Sequence, residues 1–158
     1  MNEVYSKTED QNKGFEIEMK WISHGSEEYE KSLNLREEIL RKPLGLRLER
    51  EVLREDNAGI LTAWIKDRCV ATMVMLNDDS ETARMKAVAV DTLFQGKGIG
   101  KSMVEEFENE ARRRGFKKIF LHARKVVVEF YEKLGYLSFG EEFYEVTIPH
   151  LKMSKSLF

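Results

Sequence analysis

The chain has 158 residues, of which 42% are hydrophobic and 10% aromatic, enough for one domain with one core. Its 26 Lys and Arg against 28 Asp and Glu leave a formal charge of -2, which argues against nucleic acid as a partner, since that requires clustered surplus cations. The single cysteine, Cys69, excludes an intramolecular disulfide, and no apolar run approaches the roughly 20 residues that a membrane span requires.

Residues 1–13 are polar and lack periodicity, so a flexible tail is expected ahead of a domain over 14–158. The start has no basic segment followed by an apolar one; no signal peptide is expected, and a cytoplasmic location is the default. Phe15, Ile17, Met19 and Trp21 alternate with charged residues, as in a strand with one buried face. Ser26, followed by Glu27 and Glu28, opens a helix expected to reach about Arg41, where Pro43 and Gly45 break it. A second helical stretch is expected around Leu46, Val52 and Leu53.

Three strands should then follow as an antiparallel meander, over residues 59–65, 69–76 and 82–90. Cys69 lies in the second of these and is expected as a small buried hydrophobe rather than a nucleophile. Ile99, Met103, Val104, Phe107 and Ala111 fall on one helical face, with Lys101/Glu105, Glu108/Arg112 and Glu110/Arg114 as i,i+4 pairs on the other. Gly115 ends that helix, and 118–123 reads as a strand, giving a parallel, right-handed strand–helix–strand unit. Val127, Phe130, Tyr131 and Leu134 mark a short helix, and two closing strands are expected near 136–139 and 143–148. The fold class is α/β (α+β): a central mixed, mostly antiparallel sheet of six to seven strands flanked by about four helices.

Between the strand ending at Val90 and the helix starting near Ile99 lies Gln95-Gly96-Lys97-Gly98-Ile99-Gly100. A glycine-rich turn at a helix start suits phosphate, because unpaired N–H groups and the helix dipole face the anion; a turn that merely uses glycine is the plainer alternative. A P-loop fails here, because Gln95 stands where its first glycine belongs. A dinucleotide fingerprint fails as well, since the spacing is Gly96, Gly98, Gly100 and Ile119-Phe120-Leu121-His122 occupies the place of its acid.

The arrangement resembles the GNAT superfamily of N-acetyltransferases over about residues 14–156. Gln95, Gly98 and Gly100 match the family's phosphate turn, Val88-Ala89-Val90-Asp91 its preceding strand, and Glu129-Phe130-Tyr131-Glu132-Lys133-Leu134-Gly135-Tyr136 its second signature. The resemblance implies a splayed parallel strand pair and an acetyl-coenzyme A site without metal. It places the pyrophosphate on Gln95, Gly96, Lys97, Gly98, Ile99, Gly100 and Lys101, and the pantetheine along the backbone of Val88, Ala89 and Val90. A backbone N–H in 87–89 would face the developing oxyanion, and Tyr131 would serve as the acid for the departing sulfur. Arg124 stands where the family commonly has Asn and is assigned as a cofactor contact. The general base is left open among Glu81, Glu142, Glu145, His122 and His150.

The implied activity is acetyl transfer from acetyl-coenzyme A to a primary amine, either a small molecule or a protein N-terminus or lysine. A coenzyme A-binding sensor or interaction module without turnover is the alternative. Dimers are common in that family, and this sequence leaves the oligomeric state open.

Overall fold

The computed structural model describes residues 3–10 and 15–158. Its elements in chain order are β1 (Glu3–Asp10), β2 (Phe15–Ile22), α1 (Glu27–Arg36), β3 (Gly59–Ile65), β4 (Arg68–Asn77), β5 (Thr82–Val90), α2 (Ile99–Arg113), β6 (Lys118–Arg124), α3 (Val128–Lys133), β7 (Leu137–Glu145) and β8 (Ile148–Ser156). The strands form one mixed sheet in the order β1-β2-β3-β4-β5-β6-β8-β7. Every pairing is antiparallel except β5 with β6, the two strands joined through α2.

Each face of the sheet has its own helix. The apolar stripe of α2, Met103, Val104, Phe107 and Ala111, packs on Met19, Trp21, Leu61, Met73, Met85, Ile119 and Leu121. On the opposite face, Tyr29 and Leu33 of α1 meet Ile22 and Ile60, and Leu35 meets Trp64, Cys69 and Ala89. The packing of α1 falls on the β2–β5 half, and among the described residues its π-helical extension meets β6 at that strand's end, where Arg124 reaches Leu40. Ser26 caps α1 as expected, its hydroxyl accepting from the Tyr29 N–H at 3.1 Å. A π-helical turn over Glu37–Arg41 then extends the helix, and Gly45 ends the segment with φ +73°.

Four expectations are revised. Residues 3–10, expected within a flexible tail, pair antiparallel with β2. Such pairing is made by backbone groups and needs no side-chain alternation; residues 1–2 and 11–14 of that segment lie outside the described residues. The helix expected around Leu46–Leu53 is a loop with one short 3₁₀ turn over Arg50–Val52. Val52 is 58% exposed and Leu46 39%, while the anchor is the single buried Leu48, too little apolar surface for a helical stripe. The two closing strands expected at 136–139 and 143–148 fall largely within β7, the second running past its end at Glu145 through the turn to the first residue of β8, Ile148. An irregularity between Phe139 and Phe143, with Gly140 at φ +74°, made one strand look like two. The hairpin turns at Val146 and Thr147, both with positive φ, as a two-residue turn of this twist demands. Finally, Glu108 is not a surface partner of Arg112. It is 6% exposed and accepts from the Tyr136 hydroxyl at 2.8 Å and from Lys155 Nζ at 3.0 Å.

The loop after α1 is tied down by a buried ion pair. Arg36 and Glu55, 3% and 4% exposed, form a two-pronged contact of 2.7 and 2.9 Å, and the Tyr29 hydroxyl donates to Glu55 at 2.8 Å. Burial alone would raise the Glu55 carboxyl. The Arg36 hydrogen bonds and charge, with help from Tyr29, hold it below its usual 4.5. Because the folded value is depressed, this contribution to stability is complete above the unfolded value of 4.5 and fades as pH falls through the folded one. Arg36→Met strands the Glu55 charge and is expected to cost about 3–5 kcal/mol in urea unfolding at neutral pH, with much of the loss recovered in Arg36→Met/Glu55→Leu.

Candidate functional site

The site begins with a defect in the ladder between β4 and β5. Thr72 pairs with Ala89 and Val74 with Lys86, so three steps on β5 oppose two on β4. The extra residue is accommodated with Ala87 at φ +54°, a left-handed conformation unusual for a residue with a Cβ. On its other edge β5 pairs with β6 only through Thr82, Ala83 and Arg84, opposite Lys118, Ile119 and Phe120. Beyond Arg84 the two strands part, and β6 continues to Arg124 beside β8 alone. Backbone groups of Ala87, Val88, Ala89 and Val90 thus border an opening instead of a neighbouring strand. Val88 and Val90 rest partly buried against the main core, and Ala89 is 2% exposed on the α1 side.

Past Val90 the chain makes a short 3₁₀ turn over Thr92–Phe94, capped by Asp91, whose carboxylate accepts from the Leu93 N–H at 3.0 Å and pairs with Arg68 at 2.7 Å. The Gln95 side chain reaches back and donates to the Val90 carbonyl at 2.9 Å. Its amide therefore fastens the turn to the strand, while its backbone N–H donates to the Thr92 carbonyl at 3.5 Å. Gly96 and Gly98 have φ +76° and +84°, and a Cβ at either would meet no atom within 4 Å. That open space lies at the N-terminus of α2, where Gly98 is the cap and no side chain occupies the capping role. Lys97 is half-buried and Lys101 exposed. Gly100 serves packing instead: a Cβ there would stand 3.3 Å from Phe130 of α3 and 4.0 Å from Val90. Strand end, glycine turn and α3 are thereby brought together.

Tyr131 lies on α3, 4% exposed, with its ring edge-on to Phe130 and Tyr136 at 5.0 and 5.6 Å. Burial pushes its phenol up, so it stays protonated at neutral pH. Among the described residues, the side-chain polar atoms both fully enclosed and unpartnered are Arg36 Nε, Thr72 Oγ1, Thr82 Oγ1 and Arg84 Nε. The Tyr131 hydroxyl is outside that set. Tyr136, its ring neighbour, is fully buried and gives its hydroxyl to Glu108. Of the two tyrosines, Tyr131 is the one with a proton donor to spare.

Arg124 is directed elsewhere. Its guanidinium donates to the Leu40 carbonyl at 2.8 Å, in the π-helical turn, and burial followed by nearby Arg41 lowers its affinity for the proton. The five candidates for a base also separate. Glu81 pairs with Lys117 at 3.1 Å at the opposite end of β5, and Glu142 with Lys125 at 2.9 Å. His122, Glu145 and His150 gather on the face of the sheet that α1 leaves uncovered, joined by Arg84, which sequence patterning did not single out. Cys69 is buried, and desolvation pushes its thiol up to about 12, which rules out a thiolate nucleophile at neutral pH.

The acetyltransferase (GNAT) domain model matches residues 27–157. An uncharacterized acetyltransferase of Streptococcus pyogenes is 30% identical over 79 residues, 50% of this chain and 54% of that one. The chain spans about half the length of the curated relatives it matches. Among solved structures, an acyl-CoA N-acyltransferase from Pseudomonas aeruginosa superposes with TM-score 0.77 at 21% identity, covering 88% of this chain and 99% of that one. A GNAT family acetyltransferase from Elizabethkingia anophelis with acetyl-CoA bound gives TM-score 0.67 at 18% identity, covering 89% and 97%. Among the described residues no helix is long and apolar enough to cross a membrane.

The two tyrosines should differ in what they do for stability. Tyr136→Phe deprives buried Glu108 of a donor and is expected to cost about 1–3 kcal/mol. At about 2–4 °C of Tm per kcal/mol for a chain of this size, scanning calorimetry will resolve the loss. Tyr131→Phe breaks no internal hydrogen bond and should leave Tm close to wild type.

Proposed function

We propose that this chain, which belongs to the acetyltransferase (GNAT) domain family, transfers the acetyl group of acetyl-coenzyme A to a primary amine. The observation that carries this function is the parting of β5 from β6 beside an uncapped, glycine-lined helix start. One strand edge and one phosphate cradle thus stand end to end. The fit is physical: open space at Gly96 and Gly98 admits a pyrophosphate to the N–H groups of 98–101, and the free edge of Val88, Ala89 and Val90 can pair with an extended amide-bearing chain as an added strand would. Gln95, Gly96, Lys97, Gly98, Ile99, Gly100 and Lys101 form that cradle in this assignment. Arg124 is kept at its border, since its guanidinium is held by Leu40.

Acetyl-coenzyme A, when bound, supplies an activated thioester carbonyl and a thiolate leaving group. Backbone N–H groups at the Ala87 distortion are the donors that face developing negative charge on oxygen. The Tyr131 hydroxyl, kept protonated by burial, holds the proton for the sulfur. The acceptor amine approaches over the sheet face that α1 leaves open, between the π-helical turn and the β7–β8 hairpin. An acceptor of small-molecule or peptide type is compatible with so open a face.

Thiol release, followed with a chromogenic disulfide, tests the activity against spermidine, an aminoglycoside and a lysine-containing peptide. A protein that shows a thermal shift with coenzyme A but releases no thiol with any amine would be a binding module instead. Gly98→Asp places a carboxylate in the cradle and should abolish coenzyme A binding by calorimetry with the fold retained; near-native affinity in that variant would put the pyrophosphate elsewhere. Tyr131→Phe should lower kcat by roughly 10- to 1000-fold with little change in the KM for acetyl-coenzyme A. Wild-type turnover in a well-folded Phe variant would remove Tyr131 from the chemistry.

A further inference from the structure

The uncovered face of the sheet carries a polar cluster at the point where β5 and β6 separate. Arg84 and Phe120 are the last paired residues of the two strands, and His122 follows two positions on, facing the same side as Phe120. Its imidazole is walled by aromatic rings, edge-on to Phe120 at 5.3 Å and to Phe143 at 4.9 Å. Nδ1 lies 3.2 Å from Arg84 Nη2 and 3.1 Å from Glu145 Oε1. Nε2 makes no hydrogen bond to a described residue and is not enclosed, so it opens toward solvent.

Nδ1 cannot satisfy both neighbours. If it carries a proton it donates to Glu145; if it carries a lone pair it accepts from Arg84 and leaves a carboxylate facing that lone pair. Either bond would be charge-assisted, and their lengths are alike, but the Arg84 guanidinium has the Phe120 ring to rest on at 5.5 Å whereas a lone pair on Nδ1 would face the Glu145 carboxylate unpaired. His150 does not compete for Glu145 while neutral, because its Nδ1 is 2.9 Å from the Ile148 carbonyl, to which it donates, and its Nε2 lone pair, 3.7 Å away, faces the carboxylate. The charged and titratable groups around His122 are Arg84 from β5, Glu145 from β7, His150 and Lys152 from β8, the latter the register partner of His122, and Arg124 two positions on along β6, with Arg41 beyond. No trio of His, Cys, Asp or Glu among the described residues is arranged to hold a metal ion.

We propose that His122 Nε2 takes the proton that the acceptor amine must shed, with Glu145 fixing its tautomer and Arg84 opposing its charge. This rests on the amine acetyl-transfer function proposed above. An ammonium acceptor loses two protons overall: the C–N bond forms as the C–S bond breaks, one proton ends on the thiol by way of Tyr131, and the other leaves through His122 to water.

The tautomer is read first, from imidazole 15N shifts of the free wild-type protein. Nδ1–H with a bare Nε2 is expected, changing to Nε2–H in Glu145→Gln. In turnover with the first amine of the panel that releases thiol, His122→Gln should lower kcat/KM for that amine about 10²–10⁴-fold, with the KM for acetyl-coenzyme A within about threefold. Glu145→Gln should lower kcat/KM for the same amine with the fold retained, which a merely structural cluster would not do. A wild-type Nε2–H tautomer, or a folded His122→Gln with unchanged kcat/KM, overturns the assignment. If wild type releases no thiol with any amine, the acetyl-transfer function fails, and the tautomer still decides independently whether His122 is poised as a base.

Discussion

The structure depends on one extra residue in a strand. The chain inserts a step at Ala87 against β4 and resumes that ladder at Ala89 and Val90, on a stretch of β5 already past its last pair with β6 at Arg84. A parallel pair that would otherwise close over its full length stays joined for three residues and then opens. Each neighbouring element answers to that opening: the glycine turn fastened to Val90 by Gln95, the uncapped start of α2, and α3 seated against Gly100. A left-handed alanine costs of order 1 kcal/mol or more, so the surrounding sheet has to impose it. Ala83, Ala89 and the whole central run of β4 are buried and do so.

The two faces of the sheet are unevenly covered. On the α2 side the core is continuous from β2 to β8, and the acids of α2 that intrude on it are individually satisfied. Glu106 accepts from the Trp21 indole at 2.9 Å, Glu108 from Tyr136 and Lys155, and Glu110 from Arg113 and Arg114. On the other side α1 stops short, and the part of the sheet left open holds Arg84, His122, Glu145 and His150 among Phe120, Phe139 and Phe143. Charged groups beside apolar rings on an open face suit a transient partner better than a packed helix.

What the sequence reveals follows from how each feature is encoded. Ile17, Met19 and Trp21 announce their strand because one face is buried and the other wet, and the α2 stripe announces itself in the same way. Ser26 and Gly98 show as helix starts because capping demands particular residue types. Features made by main-chain pairing or by distant partners stay hidden. β1 is held by backbone bonds, Ala87 has no residue-type signature, and Glu108 looks like a surface acid until Lys155, 47 positions away, is beside it. The cradle was legible through glycine. The grouping of Arg84 with His122 and Glu145 was not, because it exists only when β5, β6 and β7 lie in one sheet.

The contact between Gly100 and Phe130 couples parts that would otherwise be separable. Phe130 precedes Tyr131 on a helix of only six residues, and its ring lies 3.3 Å from where a methyl group at position 100 would stand. Any side chain there must push on Phe130, and through so short a helix on the phenol beside it. The cradle and the phenol thus form one mechanical unit, hinged on a missing methyl. If the turn holds the donor and the phenol serves turnover, as proposed above, a substitution at position 100 would register in both.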